Sequence, residues 1–388
     1  MKVIILSLLA LALMAEPVKK QEIFQSGTNG YALFRIPGIV VSKKGTLLAY
    51  AEARKSMRGD WGPIDIVLRR STDKGATWSP MKTIARVEGP KSKNPVALAQ
   101  NLANPSDVTY NNPVAIADRK TGTIHFLFCL EYMRAFYMRS DDDGENFSKP
   151  VEITSTFEAF RPDYAWKVLA TGPGHGIQLR NGRLLVPVWL SLGTGGHAHR
   201  PSVTSTIVSD DNGKSWKRGA IAVPDTPEFV FPNETTAAQL SDGRVMLNVR
   251  SESTAHRRLI VTSPDGTGNW SQPRFDSALL EPICFGSLLS LGGKRLAFAN
   301  PDNLDKTGGA AVAGKSRDRK NLTVQFSQDN GQTWKAKIVI EQGWSGYSDL
   351  AYGKDQTIYL FYEDGAQGGN AYQTASLQLA QFTWPKGL

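Results

Sequence analysis

The sequence predicts an all-β fold, a six-bladed β-propeller of four-stranded antiparallel sheets. The main observation is a recurring turn, Ser-x-Asp-x-Gly-x-x-aromatic, called the Asp box below. Its Asp and Gly favour a tight turn, and its aromatic ring can pack between sheets. Intact boxes occupy residues 71–78, 140–147, 209–216 and 327–334, and a degenerate copy with Thr267 in the Gly position occupies residues 263–270. The box starts are 69, 69, 54 and 64 residues apart, which is a period typical of propeller blades.

Length and composition fit this architecture. The chain has 388 residues with 36 Gly, 21 Pro and 9% aromatic residues, which favours many short strands joined by turns. Residues 1–15 resemble a secretory signal peptide, because Lys2 precedes an apolar run that is too short to span a bilayer. We therefore expect a secreted or periplasmic protein without a membrane span. Residues 16–388 are expected to form one domain of six blades, each of about 62 residues.

Charge and composition also narrow the classes of partner. The net charge of +9 favours an anionic partner. The Lys and Arg residues are spread along the chain and are not clustered with stacking aromatics, which argues against nucleic acid. His197 and His199 lie in a Gly-rich loop without zinc-ligand spacing, so a solvated loop is favoured over a metal site. We expect no metal, no cofactor and a monomer.

The two cysteines leave an alternative open. Cys129 and Cys284 both lie in apolar, strand-like runs. Two buried thiols and one disulfide fit this pattern equally well.

The first stretch that could carry chemistry begins at Arg54. Arg54 and Asp60 lie in a loop with Gly59 and Gly62, where the backbone can bend and a carboxyl group can face a cleft. Residues 64–69 then alternate in polarity, which predicts a strand. A candidate acidic group therefore precedes a scaffold strand and its Asp box.

Three arginines lie at the ends of apolar, strand-like runs in three separate repeats. Arg35 interrupts one such run, Arg250 follows another and Arg319 precedes a third. A guanidinium group is costly to bury unpaired, so Arg35 must form a buried salt bridge or line a cavity. Because the arginines recur, they can converge on a propeller axis and bind one carboxylate.

Two further residues stand out beside turns. Glu234 follows Pro-Asn at the start of a strand-like run, and Tyr347 lies in Gly-Tyr-Ser-Asp-Leu. Each taken alone is interpreted more simply as a surface acid or a packed tyrosine.

In combination, these features resemble the exo-α-sialidases (neuraminidases), glycoside hydrolases of family 33 type that carry Asp-box, or BNR, repeats. The resemblance covers nearly all of the chain after residue 15. It rests on Phe-Arg-Ile-Pro at residues 34–37, on the Asp boxes, and on the order Arg, Asp, Glu, Arg, Arg, Tyr.

The resemblance implies three catalytic residues. Asp60 would be the general acid/base, Tyr347 the nucleophile and Glu234 the base that activates it. A neutral phenol suits a substrate whose anomeric carbon bears a carboxylate, because a carboxylate nucleophile would approach it with like charge. Sialidases with a tyrosine nucleophile are an exception to the two-carboxylate arrangement of most glycosidases.

The resemblance also implies the substrate-binding set. Arg35, Arg250 and Arg319 would hold the substrate carboxylate, with Arg317 as the alternative to Arg319. Arg54 would make a further substrate contact, and Glu363 would orient Arg35. Trp61 and Trp166 are candidate walls for a pocket that receives the substrate's acyl group.

The implied activity is that of a retaining exo-α-sialidase, acting without a cofactor on terminal sialic acid residues of glycoproteins, glycolipids and oligosaccharides. Two alternatives remain open. One is a specialised relative, either a hydrolase of deaminated sialic acid or a trans-sialidase. The other is a propeller that binds sialylated glycans without catalysis; it would be expected to lack Tyr347 or Asp60. A purely structural propeller is disfavoured, since a scaffold does not require three arginines at its strand ends.

Overall fold

The computed structural model describes residues 18–305, 318–385 and 387–388. The predicted leader, residues 1–15, and the alternative Arg317 lie outside the described residues. Within them the chain forms 25 strands and two short α-helices, so the all-β prediction is confirmed. The helices are α1 (Pro95–Ala99) and α2 (Thr154–Glu158).

The strands alternate with turns along the whole described chain. The first fifteen are β1 (Lys19–Gln25), β2 (Leu33–Val41), β3 (Leu47–Arg54), β4 (Ile64–Ser71), β5 (Lys82–Thr83), β6 (Tyr110–Ala117), β7 (Ile124–Leu130), β8 (Arg134–Ser140), β9 (Val151–Glu152), β10 (Val168–Thr171), β11 (Gly174–His175), β12 (Ile177–Gln178), β13 (Leu184–Ser191), β14 (Ser202–Ser209) and β15 (Lys217–Arg218). The remainder are β16 (Thr235–Gln239), β17 (Val245–Val249), β18 (Arg257–Ser263), β19 (Arg274–Leu280), β20 (Ser287–Ser290), β21 (Leu296–Pro301), β22 (Lys320–Ser327), β23 (Ala336–Tyr352), β24 (Ile358–Asp364) and β25 (Ser376–Phe382).

Most strands pair with their neighbours in sequence. The strand orders are β2-β3-β4-β5, β11-β6-β7-β8-β9, β10-β13-β14-β15 with β12 also on β13, β16-β17-β18-β19, and β1-β25-β24-β23-β22-β21-β20. Strand β1 pairs with β25, so the start and end of the described chain share a sheet. The long strand β23 pairs with β22 through its first half and with β24 through its second. Sheets of four to seven strands in this order are consistent with a β-propeller.

The Asp boxes form the turns that follow β4, β8, β14 and β22. In the first box, the Ser71 hydroxyl accepts a hydrogen bond from the Gly75 N–H at 2.8 Å, and Asp73 accepts one from the Thr77 N–H at 2.9 Å. Gly75 has φ 88°, a left-handed conformation that favours glycine. The other intact boxes repeat these bonds.

The degenerate box closes differently from the prediction. Gly266, one residue before the predicted position at Thr267, has φ 76° and donates its N–H to the Ser263 hydroxyl at 3.0 Å. The turn is therefore one residue tighter and still places a glycine at its left-handed position. A Cβ on Gly266 would lie 2.3 Å from the Leu185 side chain, so the close approach to the adjacent sheet also requires glycine.

The hydrophobic core lies between adjacent sheets. For example, Val114 and Leu127 from one sheet pack with Leu184 and Val186 from the next. Burying such a side chain contributes about 1.5–3 kcal/mol, so the interfaces between sheets hold the fold together.

The open question about the cysteines is settled by their separate burial. Cys129 and Cys284 are both free and fully buried. Burial raises the pKa of each thiol to about 12. They are two inert core thiols rather than a disulfide.

A buried carboxylate ties together four strands, two of which carry Arg35 and Tyr347. Asp349 in β23 accepts hydrogen bonds from the Ile39 N–H of β2 at 2.9 Å and from the Ser287 hydroxyl of β20 at 2.9 Å, and its other partner is His175 Nδ1 of β11 at 2.7 Å. The ends of these strands are thereby held in register.

The helices in the described part of the chain are all too short to serve as membrane spans.

Candidate active site

A cavity of about 120 Å³ lies at the strand ends. Six of the predicted residues line it: Arg35, Asp60, Glu234, Arg250, Arg319 and Tyr347. They come from segments as far apart as residues 35 and 347, so only the folded chain brings them together. The two remaining predicted residues, Arg54 and Glu363, lie behind the cavity wall.

Tyr347 and Glu234 are in direct contact in the cavity. The Tyr347 hydroxyl lies 2.7 and 2.6 Å from the two carboxylate oxygens of Glu234, and Arg250 donates to the same hydroxyl at 2.7 Å. Arg250 also forms an ion pair with Glu234. Burial raises the pKa of Tyr347 well above its ordinary value of about 10; Arg250 opposes this rise and Glu234 adds to it. The phenol is therefore protonated at rest, with a proton acceptor in direct contact.

Glu363 connects the first arginine to the tyrosine. Its two carboxylate oxygens accept from Arg35 Nε at 3.0 Å and from Arg35 Nη2 at 3.2 Å. They also accept from the backbone N–H groups of Ile36 and Tyr347, at 3.1 and 3.0 Å. Gly346 makes room for this carboxylate, since a Cβ there would lie 2.2 Å from it. One fully buried acid thus fixes the position of both Arg35 and the Tyr347 backbone.

Arg319 has donors that no group in the described structure accepts. Its Nη2 donates to the Ile283 carbonyl at 2.9 Å, while Nε and Nη1 are buried without a hydrogen-bond partner among the described residues. Its guanidinium carbon lies 5.1 Å from the Tyr347 ring centre and 4.5 Å from that of Tyr372. Unpaired buried N–H groups are costly, so this arrangement favours an anion bound in the cavity.

Asp60 lies in a one-turn 3₁₀ segment, Gly59–Trp61, between β3 and β4. Its side chain is 43% exposed, and its carboxylate lies 2.9 Å from Arg54 and 3.9 Å from Arg35. Arg54 is held in turn by Glu52 at 2.7 Å. Desolvation raises the pKa of Asp60, but the positive charges of Arg54 and Arg35 lower it by a larger amount. The pKa of Asp60 therefore lies below its ordinary value. Asp60 is therefore ionised in the ligand-free protein.

Part of the cavity wall is aromatic, and the sequence did not reveal it. Tyr132, Trp189 and His199 line the cavity, with ring centres 4.9 Å apart for Tyr132 and His199 and 5.2 Å for Trp189 and His199. Trp189 Nε1 and His199 Nε2 are buried without a hydrogen-bond partner among the described residues. They can therefore hydrogen bond to a bound molecule.

The two tryptophans named from the sequence lie elsewhere. Trp61 packs behind this wall, 4.6 Å from the Tyr132 ring and 5.5 Å from the His199 ring. Trp166 is a core residue, because it lies in the cluster between two sheets and donates its Nε1–H to the Phe157 carbonyl at 2.8 Å.

The sequence favoured a solvated loop at His199, but this side chain lies in the cavity wall. The side chain lines the cavity beside Asp60 and among aromatic rings. Burial lowers the pKa of His199 to about 4, although Asp60 partly opposes this shift. The ring is neutral at ordinary pH. Its sequence signal was only a His-Ala-His in a Gly-rich loop. Tyr132 and Trp189 carry an even weaker signal in the sequence, because they resemble core residues at strand ends.

Among the described residues no group of three or more His, Cys, Asp and Glu side chains is arranged to hold a metal ion. The cavity instead presents the three predicted arginines and Arg200, which is paired with Glu252, together with the tyrosine–glutamate pair and the partly exposed Asp60. Such a set can bind a carboxylate and transfer protons.

Comparisons with known proteins agree with this geometry. Residues 91–360 match the model of a family described as a BNR repeat-like domain. The chain is 28% identical over 372 residues to a sialidase of Bacteroides fragilis, covering 87% of this chain and 61% of that protein. It is 30% identical over 354 residues to Sialidase-2 of Rattus norvegicus, covering 86% and 87% respectively. The chain thus spans less than two thirds of the bacterial relative but most of the rat one.

Solved structures show the same fold. The Hadza microbial sialidase Hz136 has a TM-score of 0.72 and 26% identity, covering 94% of this chain and 68% of that chain. A leech intramolecular trans-sialidase has a TM-score of 0.72 at 18% identity, covering 94% and 70%. With a matching family model over most of its length and a sialidase at 30% identity, the chain belongs to the exo-alpha-sialidase family with BNR repeats.

Proposed function

We propose that this protein is a retaining exo-α-sialidase, which hydrolyses terminal sialic acid residues from glycoproteins, glycolipids and oligosaccharides. The observation that carries this proposal is the convergence of Arg35, Arg250 and Arg319 on a cavity that also holds Tyr347 and Asp60. Arg319 lines this cavity and has two N–H donors without a partner among the described residues, so the carboxylate of a sialic acid is a suitable acceptor for this side chain.

In the first step, Tyr347 would attack the anomeric carbon. Its phenol oxygen forms the new C–O bond while its proton passes to Glu234, which already touches it at 2.6 Å. The glycosidic C–O bond breaks, and Asp60 gives a proton to the departing oxygen. The result is a sialyl-tyrosine intermediate and a free alcohol.

Asp60 must be protonated for this step, although it is ionised in the ligand-free protein. The substrate carboxylate offsets part of the positive charge of Arg35, which lies 3.9 Å from Asp60. Because the neighbouring positive charge is what lowers its pKa, binding would raise the pKa of Asp60. Substrate binding therefore prepares the acid.

In the second step, water would attack the same carbon. Asp60, now ionised, accepts a proton from that water, and the C–O bond to Tyr347 breaks as Glu234 returns the proton to the phenol oxygen. Two inversions at one carbon give net retention of configuration.

We also propose that the sheets form six blades. The two halves of β23 pair with different neighbours, so the seven-stranded sheet divides into two sets of four strands that share β23. Together with the other four sheets, this gives six.

The test is to incubate the purified protein with 3′-sialyllactose and follow the products by proton NMR. We expect α-configured free sialic acid to appear first and lactose to be released with it. An anhydro sugar or a sialylated acceptor as the main product would instead identify a trans-sialidase. Binding of sialyllactose without any release would identify a sialoglycan-binding propeller.

A further inference from the structure

A buried ion pair lies beneath the turn that carries Asp60. Lys93 Nζ is 2.8 Å from a carboxylate oxygen of Glu131, and neither side chain is more than 2% exposed. Neither residue lines the cavity. The cost of desolvating two charges largely offsets their attraction, so a buried pair adds little net stability by itself. Its contacts indicate another role.

Lys93 reaches the backbone that follows Asp60. Its ammonium group donates to the Thr109 hydroxyl at 3.0 Å and, at the longer distance of 3.4 Å, to the Trp61 carbonyl. Thr109 in turn donates its hydroxyl proton to the Gly62 carbonyl at 2.7 Å. An ammonium group has donors and no acceptor, so the Thr109 hydroxyl must accept from Lys93 and direct its only proton at Gly62.

Glu131, the ion-pair partner of Lys93, connects the Lys93–Thr109 contact to the neighbouring sheet. Glu131 follows β7 and accepts the backbone N–H of Thr109 at 2.7 Å through its second carboxylate oxygen. Glu131 and Tyr132 have φ of 58° and 48°, left-handed conformations that side chains with a Cβ rarely adopt. Hydrogen bonds therefore hold these two residues in the left-handed conformation. One of them runs from the Glu131 N–H to the Thr109 carbonyl at 2.8 Å.

Asp60 is held at two points, its carboxylate and the backbone that follows it. Its side chain is 43% exposed, and its carboxylate lies 2.9 Å from Arg54, behind the cavity wall, and 3.9 Å from Arg35, which lines the cavity. The preceding Gly59 has φ 70°, and a Cβ on it would have no neighbouring atom within 4 Å. The backbone after Asp60 is held through the carbonyls of Trp61 and Gly62, which accept from Lys93 and Thr109.

We propose that Lys93 is a positioning residue for Asp60, holding the carboxyl group where it can protonate the departing oxygen. This inference rests on the proposed function, because it assigns Lys93 to the general-acid step. Lys93 touches neither the substrate nor the reacting atoms.

A positioning role makes a distinctive prediction about the leaving group. An alkoxide leaving group, as in 3′-sialyllactose, needs a proton from Asp60, whereas a 4-methylumbelliferyl group leaves as a stabilised phenolate and needs little help. The value of kcat/KM reports the first step, in which the leaving group departs. Displacing Asp60 should therefore lower kcat/KM for sialyllactose and spare the umbelliferyl sialoside.

The experiment compares these two substrates in wild type and three variants. For Lys93→Met we expect kcat/KM on 3′-sialyllactose to fall about 10- to 100-fold, and on the umbelliferyl sialoside less than about 3-fold. Thr109→Val, which removes the hydroxyl and keeps the ion pair, should give the same split at smaller size. Lys91→Met is the matched control, because its Nζ contacts the Gly89 carbonyl and not the turn.

The outcomes separate the two proposals. If wild type cleaves neither substrate, the proposed function is wrong and the role of Lys93 falls with it. If wild type cleaves both and the folded variants lose both activities equally, or lose neither, the positioning role alone is wrong. Should Lys93→Met fail to fold, as an unpaired buried Glu131 could cause, Thr109→Val decides the question by itself.

Discussion

The Tyr347 hydroxyl contacts both carboxylate oxygens of Glu234, at 2.7 and 2.6 Å. A phenol whose pKa is raised by burial cannot ionise on its own at neutral pH. A base in direct contact can accept its proton during bond formation, so the pair can act as a nucleophile without a stable phenolate.

The first prediction concerns this pair. Tyr347→Phe removes the oxygen that would form the covalent bond and should lower kcat by roughly 10³-fold or more. The melting temperature should change little, because the ring still packs against Phe285. Assay of sialoside release with thermal unfolding measures both effects. Tyr352→Phe, on the same strand but facing a different pocket, is the control. Full activity in Tyr347→Phe would rule out the tyrosine as nucleophile.

The second prediction concerns Glu363, whose carboxylate accepts four hydrogen bonds from Arg35, Ile36 and Tyr347. In Glu363→Gln, only the amide oxygen can still accept hydrogen bonds. The amide NH₂ group would then face N–H donors that the second carboxylate oxygen accepts in the wild type. Breaking one side of a buried ion pair costs about 3–5 kcal/mol, so the free energy of unfolding in urea should fall by that order. KM should rise as Arg35 loses its orientation. Unchanged stability would show that Glu363 is not needed to hold Arg35.

How much of the site could be predicted depends on how each residue is marked in the sequence. A charged residue beside an apolar run, such as Arg35 or Arg319, stands out because burying it needs a reason. The Asp boxes likewise revealed the repeated turns. Tyr132 and Trp189 could not be distinguished from core residues, since the difference lies in which way a side chain faces after folding. Lys93 was missed because it lies in a loop and its partner Glu131 follows β7, 38 residues further along the chain.

The third prediction uses the unpartnered donors of Arg319. Arg319→Met should raise KM by about 10-fold or more, since one well-placed charged hydrogen bond to an anion is worth about 1.5–3 kcal/mol. Stability without ligand should change by less than about 1 kcal/mol, because the substitution also relieves repulsion from Arg35. Arg295→Met, whose guanidinium group packs on Trp384 away from the cavity, is the control. A large loss of stability with unchanged KM would contradict an anion-binding role.

The fourth prediction is a dependence of stability on pH. Burial lowers the pKa of His199 to about 4 in the folded protein, whereas the unfolded value is about 6.5. Between pH 4 and pH 6.5 the unfolded chain binds more protons than the folded protein does. The contribution of His199 to the free energy of unfolding is therefore fully present above pH 6.5 and is lost as the pH falls toward 4. In His199→Asn this loss should shrink by about 1–3 kcal/mol.

Urea unfolding at pH 7 and pH 4.5 measures this difference, and His175 supplies a control of opposite sign. Burial alone lowers the pKa of His175, but Asp349 at 2.7 Å raises it above its ordinary value overall. Stability from His175 is therefore present below the unfolded pKa and is lost as pH rises through the folded pKa. His175→Asn should steepen the loss of stability on acidification, where His199→Asn flattens it. Equal slopes in both variants would show that the pKa values of the two histidines are not shifted in opposite directions.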